Sequence, residues 1–247
     1  MQTEKLTNKL MFLDKTSVSS FNEWLETINL TGGALLIDKD LKWTSFDVIA
    51  KLRNLLQIRK IGHAGTLDPL ATGLLIICCG KATKSINQFQ GLNKTYLAKI
   101  KIGATTETDD SEKEEENIKD YSFVMEDDII NACKSFEGKI LQRPPAYSAK
   151  KVKGKRLYKL ARQGIKVEIE PVEVFVNYIK ILNLELPNIN IEVKCSKGTY
   201  IRALARDIGA KLGTGAYLAA LRRIKIGDYP IEKALKITEI QELITGV

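Results

Sequence analysis

The sequence has a single histidine, His63, among its 247 residues. A zinc site that needs two or more histidine ligands is therefore excluded. The four cysteines include an adjacent pair, Cys78 and Cys79, but they show neither Cys-x-x-Cys spacing nor the density of a disulfide framework. The glycine motifs that hold nucleotide phosphates are also missing. We therefore expect chemistry that uses no metal and no nucleotide cofactor.

Long apolar runs are missing as well. No segment has the length of a membrane span, and the first residues lack the apolar core of a signal peptide. The composition, 44% hydrophobic and 28% charged, is typical of a soluble globular protein. The few cysteines fit small buried residues in a reducing compartment. We expect a cytoplasmic protein without a membrane partner.

The positive charge is concentrated in one segment. The formal net charge is +8, and residues 139–167 contain ten basic residues and no acid. With Tyr147 and Tyr158 interleaved, this basic window favours binding to a phosphate backbone whose bases can stack. A solvated basic surface or a membrane-surface helix are the alternatives. Pro144, Pro145 and Gly154 argue against one continuous helix.

Negative charge is concentrated just before that window. Residues 105–128 hold eleven acids and two lysines. This acidic segment predicts a mobile loop followed by a helix that begins at Met125 or Glu126. Because its charge repels nucleic acid, we expect it to lie away from any RNA-binding face.

The most informative stretch runs from Gly62 to Leu75 and contains one carboxylate, Asp68. Its glycines permit a tight backbone path, and Pro69 favours an extended conformation at Asp68. The pattern predicts a shaped loop that presents Asp68 at the start of the buried strand Leu74–Cys79. The alternative is a simple Asp-Pro turn, in which the aspartate binds only nearby backbone amides.

The remaining pattern interleaves strands and helices without a regular βαβ rhythm. Thr44 and Asp47 are placed as a capping pair at the start of a helix. The apolar stripe of the helix near residue 202 leaves Arg202 and Arg206 outside it, where they can face a cleft. The pattern favours an α+β fold with a mixed, largely antiparallel central sheet and flanking helices.

Several segments, in this order, resemble the TruB family of tRNA pseudouridine synthases across about residues 33–230. The segments are Leu36-Ile37-Asp38-Lys39 with Trp43-Thr44-Ser45, Gly62-His63-Ala64-Gly65-Thr66-Leu67-Asp68-Pro69, Lys94-Thr95-Tyr96, Pro144-Pro145-Ala146-Tyr147-Ser148-Ala149-Lys150, Gly154 with Leu157-Tyr158, Cys195-Ser196-Lys197-Gly198-Thr199-Tyr200-Ile201-Arg202 and Leu221-Arg222-Arg223. The turn after Lys39 departs from the family pattern, because Asp40-Leu41-Lys42 stands where a proline and a glycine usually follow.

The resemblance implies the pseudouridine synthase fold with a basic, RNA-clamping insertion. It implies isomerisation of the uridine at position 55, in the tRNA T-loop, with Asp68 as catalytic nucleophile on a flipped-out base. Whether Asp68 attacks the sugar or uracil C6 stays open. The implied substrate-binding residues are His63, which fills the space left by the base, Tyr96, which stacks on it, Arg202, which pairs with Asp68, and Tyr200, Leu221, Lys150 and Lys153.

For domain organisation we expect an N-terminal extension over residues 1–32 and a catalytic domain over residues 33–247. The basic insertion covers about residues 139–170, and no full C-terminal PUA domain is expected. The expected partner is the T-arm of tRNA, bound by a monomer without a guide RNA. The alternative function is a non-catalytic tRNA-binding protein or tRNA-folding chaperone that uses the same cleft.

Overall fold

A computed structural model of the chain describes residues 10–148, 151–152, 154–165 and 167–246. The chain divides into two compact units. The first unit comprises Met1–Tyr96 together with Arg222–Val247, and the second comprises Leu97–Leu221. Lys150 and Lys153, two of the predicted RNA-binding residues, lie outside the described residues.

The first unit contains a mixed sheet whose central strands are apolar on both faces. Its strands are β1 (Met11–Leu13), β2 (Gly33–Lys39), β3 (Ile61–His63), β4 (Ala71–Cys79) and β12 (Tyr229–Pro230). β1 pairs with β2 in parallel, whereas β4 pairs with β2 and with β3 in antiparallel fashion. All seven residues of β2 are buried, as expected for a strand covered on both faces. The register places Lys39 opposite Gly73.

The helices of the first unit are α1 (Phe21–Leu30), α2 (Ser45–Leu56), α3 (Ile86–Gly91) and α7 (Ile237–Thr245). The predicted capping pair is confirmed, because Thr44 accepts the Asp47 amide at 3.0 Å and Asp47 accepts the Thr44 amide at 2.7 Å. The described part of the predicted N-terminal extension contributes β1 and α1. Trp24 of α1 is 1% exposed, and its indole N–H donates to the Met11 carbonyl.

The described residues of the second unit form an antiparallel sheet and three helices. The sheet strands are β6 (Gly138–Gln142), β9 (Val172–Glu185) and β10 (Asn188–Cys195), and a small hairpin is formed by β7 (Lys151–Val152) and β8 (Lys155–Arg156). The helices are α4 (Glu126–Lys134), α5 (Leu157–Arg162) and α6 (Ile201–Leu212). Two further strands, β5 (Lys94–Ile102) and β11 (Ala216–Ile226), run along the chain from one unit into the other.

The predicted α+β class, with a mixed sheet and flanking helices, is confirmed. The helix predicted to begin at Met125 or Glu126 begins at Glu126. β4 begins at Ala71, three residues before the predicted start, and Ala71 is already buried. Within the described residues, no helix combines the length and apolar character that a membrane crossing requires.

Candidate active site

Asp68 lies on the loop between β3 and β4, where the chain makes a tight turn. The Ala71 amide donates to the Asp68 carbonyl at 3.0 Å, and Pro69 occupies the second position of this turn, which its fixed φ favours. The Lys42 amide donates to the Pro69 carbonyl at 2.8 Å. Asp68 is half-buried and lies three residues before β4, which is closer to the strand than the predicted start at Leu74 implied.

The residue before Asp68 is tied to the start of helix α2. The Ser45 hydroxyl accepts the Leu67 amide at 2.9 Å and donates to the Leu67 carbonyl at 3.2 Å. Ser45 is only 1% exposed, so both groups of Leu67 would lack a water partner without it. The end of a capped helix therefore fixes the loop on one side.

Arg223 of β11 fixes the loop on its other side. Its guanidinium donates to the carbonyls of Gly65 at 3.1 Å, Thr66 at 3.4 Å and Leu74 at 2.7 Å. Gly73 passes directly against the Arg223 backbone, where a Cβ would lie 2.3 Å from the carbonyl oxygen. The φ of Gly73 is +106°, which a side chain rarely adopts.

A buried lysine adds positive charge near the loop. Lys39, at the end of β2, is fully buried and donates from Nζ to the carbonyls of Asp40 and Trp43. Burial lowers the pKa of Lys39 to about 8, and the negative charge of Asp68 opposes this effect. Sequence reasoning used Lys39 only as part of a motif, since its burial depends on contacts that the pattern does not show.

His63 is the last residue of the short strand β3 and not a residue of the loop itself. Its ring packs edge-on against Phe46 with centroids 5.9 Å apart. Burial, reinforced by the charge of Arg223, lowers the pKa of His63, so the neutral imidazole predominates at neutral pH.

Tyr96, the predicted stacking residue, is the last residue of the first unit and lies on β5 with only 9% exposure. The start of β5 is anchored by Lys94, whose Nζ donates to the carbonyls of Gln90 and Leu92. The first unit therefore contains three of the predicted site residues, which are Asp68, His63 and Tyr96.

Arg202 is the second residue of helix α6 in the second unit, and its side chain is buried, with 5% exposure. Its guanidinium donates to the carbonyls of Thr108 and Tyr147, both at 2.9 Å. The carboxylate of Asp110 lies 3.5 Å away. These acceptors compensate the desolvation of the buried cation.

The acidic segment does not lie apart from the predicted site residues. Besides Asp110, which faces Arg202, Asp109 forms a 3.0 Å ion pair with Arg206. The expectation that the segment lies away from any RNA-binding face stays a prediction. Asp109 and Asp110 neutralise half-buried and buried arginines of α6, a pairing that a count of charges along the chain does not reveal.

Tyr200 precedes α6 and is held by a reciprocal contact with a buried glutamine. The Tyr200 amide donates to Gln142 Oε1 at 2.8 Å, and Gln142 Nε2 donates to the Tyr200 carbonyl at 3.1 Å. Leu221 lies on β11 and is half-buried. The second unit therefore contains Tyr200, Arg202 and Leu221. No group of three potential metal ligands occurs among the described residues.

Two family models together match most of the chain. Residues 53–201 match the model of the TruB family pseudouridylate synthase N-terminal domain, and residues 202–245 match that of the tRNA pseudouridylate synthase B C-terminal domain. This chain belongs to the TruB family of pseudouridylate synthases. It is 44% identical over 221 residues to tRNA pseudouridine synthase B of Parabacteroides distasonis, covering 87% of this chain and 94% of the relative. It is 48% identical over 217 residues to the protein of that name from Phocaeicola vulgatus, covering 85% and 92%.

Solved structures of the family's fold are also similar to this TruB chain. The archaeal box H/ACA sRNP Nop10-Cbf5 complex contains a chain with 26% identity and a TM-score of 0.67, covering 90% of this chain and 58% of that one. An H/ACA RNP bound to a substrate RNA containing 2'-deoxyuridine gives 28% identity and a TM-score of 0.65, covering 87% and 53%. The chain thus spans between one half and three fifths of these structural relatives.

Proposed function

We propose that this protein isomerises the uridine at position 55, in the T-loop of tRNA, to pseudouridine, with Asp68 as the catalytic nucleophile. The observation that carries the proposal is the bracing of the Asp68 loop in a chain of the TruB family. Ser45 fixes the loop from one side and Arg223 from the other. The named relatives, tRNA pseudouridine synthase B, support tRNA as the substrate.

The reaction needs a carboxylate in a fixed position and no cofactor. The glycosidic C–N bond breaks, the ribose carbon bonds to C5 of the same uracil, and the C5 proton is lost while the ring nitrogen gains one. Substrate and product are therefore isomers. A group held in a near-attack position supplies much of the rate enhancement of such a step. Attack of Asp68 at the sugar and attack at uracil C6 both satisfy this balance.

The other predicted residues serve the extruded base and its backbone. In this proposal Tyr96 stacks on the base, His63 fills the space that it leaves, and Tyr200 and Leu221 line its pocket. A neutral His63 suits that role, because a buried apolar space disfavours an imidazolium. Lys150 and Lys153 bind tRNA phosphates.

Arg202 is proposed to pair with Asp68 and keep it oriented, and this pairing stays a prediction. Replacing Arg202 with methionine removes the charge and keeps much of the side-chain length. We expect the Arg202→Met protein to lose most of its turnover. Near-normal turnover would contradict the proposed pairing.

The experiment that tests the proposal uses the wild-type protein and an unmodified tRNA transcript, with no other RNA present. Pseudouridine is mapped along the product, and a transcript with cytidine at position 55 serves as the control. Product at that uridine alone supports the proposal. A requirement for a guide RNA, or product at another position, would overturn the proposed substrate. Tight binding without product would favour the tRNA-binding or chaperone alternative.

A further inference from the structure

Arg223 is a buried cation without a carboxylate partner among the described residues. It is 1% exposed, yet among the described residues no carboxylate lies within ion-pair distance of its guanidinium. Burying a charge without an opposite charge is costly and requires strong hydrogen bonds in compensation. Here the acceptors are three backbone carbonyls. The guanidinium therefore fixes the main-chain conformation of the segment that contains them.

The three carbonyls come from both sides of Asp68. Gly65 and Thr66 precede it, and Leu74 follows it on β4. One rigid guanidinium plane therefore joins the two ends of the loop that carries the carboxylate. Arginine offers five donors in a fixed fork, whereas a lysine ammonium offers three donors at one point and cannot span the same acceptors.

The backbone of Arg223 is also fixed. Gly73 leaves no room between its own Cα and the Arg223 main chain, because a Cβ there would lie 2.7 Å from the Arg223 nitrogen and 2.3 Å from its oxygen. The guanidinium thus projects from a strand that packs directly on the far end of the loop. Because Gly73 packs directly against the Arg223 main chain, the position of β11 determines the position of the loop.

The neighbouring arginine has a different environment. Arg222 is 39% exposed at its side chain and forms an ion pair with Asp38 at 2.8 Å. It makes no hydrogen bond to residues 64–70 among the described residues. The adjacent pair Arg222 and Arg223 therefore offers a matched comparison between an arginine that neutralises a carboxylate and one that shapes the loop.

We propose that Arg223 is a positioning residue for the proposed uridine isomerisation, holding the backbone on both sides of Asp68 so that the carboxylate meets the target nucleotide in one orientation. This inference rests on the proposed function. Since Arg223 acts through the loop and is buried, its contribution falls on the chemical step and not on tRNA affinity.

The test compares Arg223→Lys with Arg222→Lys. Both substitutions keep the positive charge and remove the guanidinium. Single-turnover product formation at saturating protein measures the chemical step, and equilibrium binding measures tRNA affinity. We expect Arg223→Lys to slow product formation about 100-fold, as a small misplacement of a reacting group does, while tRNA affinity changes less than about twofold. Arg222→Lys should retain the wild-type rate.

A second variant approaches the same contact from the acceptor side. Gly65 has a φ of +112°, and an added Cβ would lie 3.8 Å from the Arg223 guanidinium, so Gly65→Ala strains the loop without a collision. Gly65→Ala should slow product formation without changing tRNA affinity. This variant replaces Arg223→Lys in the test if Arg223→Lys does not fold. A wild-type rate in either folded variant, or a rate loss matched by an affinity loss, would overturn the inference. Wild-type protein that forms no pseudouridine would overturn the proposed function itself and this inference with it.

Discussion

The arginines of the two units differ in whether a carboxylate is among their partners. Among the described residues, Arg223 of the first unit binds backbone carbonyls and no carboxylate. In the second unit Arg202 and Arg206 also bind carbonyls, but each of them faces an aspartate as well. Carbonyl acceptors belong to the main chain, so Arg223 determines the path of the Asp68 loop. Carboxylate acceptors belong to side chains and carry charge, so Arg202 and Arg206 tie the acidic segment to α6 and are neutralised by it.

The difference determines how a single substitution affects each unit. A hydrogen bond to a charged group contributes about 1.5–3 kcal/mol, and three such bonds in one place make the Asp68 loop a rigid element. In the second unit the partners are separate acids, Asp109 and Asp110, each of which can be neutralised by a single substitution. Burial raises the pKa of Asp109 although Arg206 and Arg202 oppose it, which shows that this pairing operates in a desolvated environment.

The largest loss of stability is expected at Gly73, which packs against the Arg223 backbone in the first unit. Gly73→Ala places a Cβ against the Arg223 backbone at a φ of +106°, and we expect it to lower the free energy of unfolding by about 4 kcal/mol through strain and overpacking. Urea denaturation measures the loss. Gly138→Ala in the second unit is the control, since its φ is +87° with no atom within 4 Å, and it should lose about 1 kcal/mol. Equal losses would show that the contact with Arg223 is unimportant.

The next effect concerns the charge pairing of the second unit. Asp110→Asn keeps the shape of the side chain but removes the buried carboxylate that lies 3.5 Å from the Arg202 guanidinium, and we expect a loss of about 3 kcal/mol in the free energy of unfolding. The same denaturation experiment measures it. Asp120→Asn removes an exposed acid whose carboxylate accepts from Ser122 and should change stability by less than about 0.5 kcal/mol. If the two variants were equally stable, the ion pair between Arg202 and Asp110 would not contribute to the free energy of unfolding.

A smaller effect is expected on the helix side of the Asp68 loop. Ser45→Ala leaves the buried amide and carbonyl of Leu67 unpaired, which should cost about 2 kcal/mol of stability. Because Leu67 adjoins Asp68, the rate of pseudouridine formation should fall while tRNA affinity is kept. Ser135→Ala, which removes a hydroxyl that bonds within α4, is the matched control. A Ser45→Ala protein with unchanged stability and rate would mean that Arg223 alone braces the loop.

The smallest effect is the pH dependence of the ion pair beside β2. Burial raises the pKa of Asp38, but hydrogen bonds from Arg222 and Lys236 outweigh it and hold the pKa below 3.8. This stabilisation is complete above pH 3.8 and is lost as the pH falls through the lower folded-state value. Asp38→Asn should lose about 1 kcal/mol at neutral pH and show a shallower loss in acid. Unfolding curves recorded from neutral to acid pH measure both, and parallel curves for the two proteins would contradict the assignment.

Sequence reasoning succeeded where the chemistry is local. The capping pair of Thr44 and Asp47 lies within one helical turn, and the helix predicted to begin at Met125 or Glu126 begins at Glu126. The α+β class followed from the order of apolar segments. In the candidate site, the turn at Asp68 could be predicted because proline restricts the residue before it.

Long-range contacts could not be predicted in the same way. Ser45 is 22 residues from Leu67, and Arg223 is 158 residues from Gly65, so no spacing rule connects them. The carbonyl that Arg202 binds could not be predicted either, since Thr108 lies 94 residues away in the chain. In each case the decisive partner is a group elsewhere in the chain.

The most direct test of the central claim compares wild type with Asp68→Asn and Asp40→Asn on an unmodified tRNA transcript. Asp40 is an exposed acid of the same unit whose carboxylate binds Lys236, so Asp40→Asn controls for the loss of one charge. The account predicts that wild type and Asp40→Asn form pseudouridine at the T-loop uridine, and that Asp68→Asn binds the transcript but forms none. Product from Asp68→Asn at the wild-type rate would contradict the role of Asp68 as nucleophile.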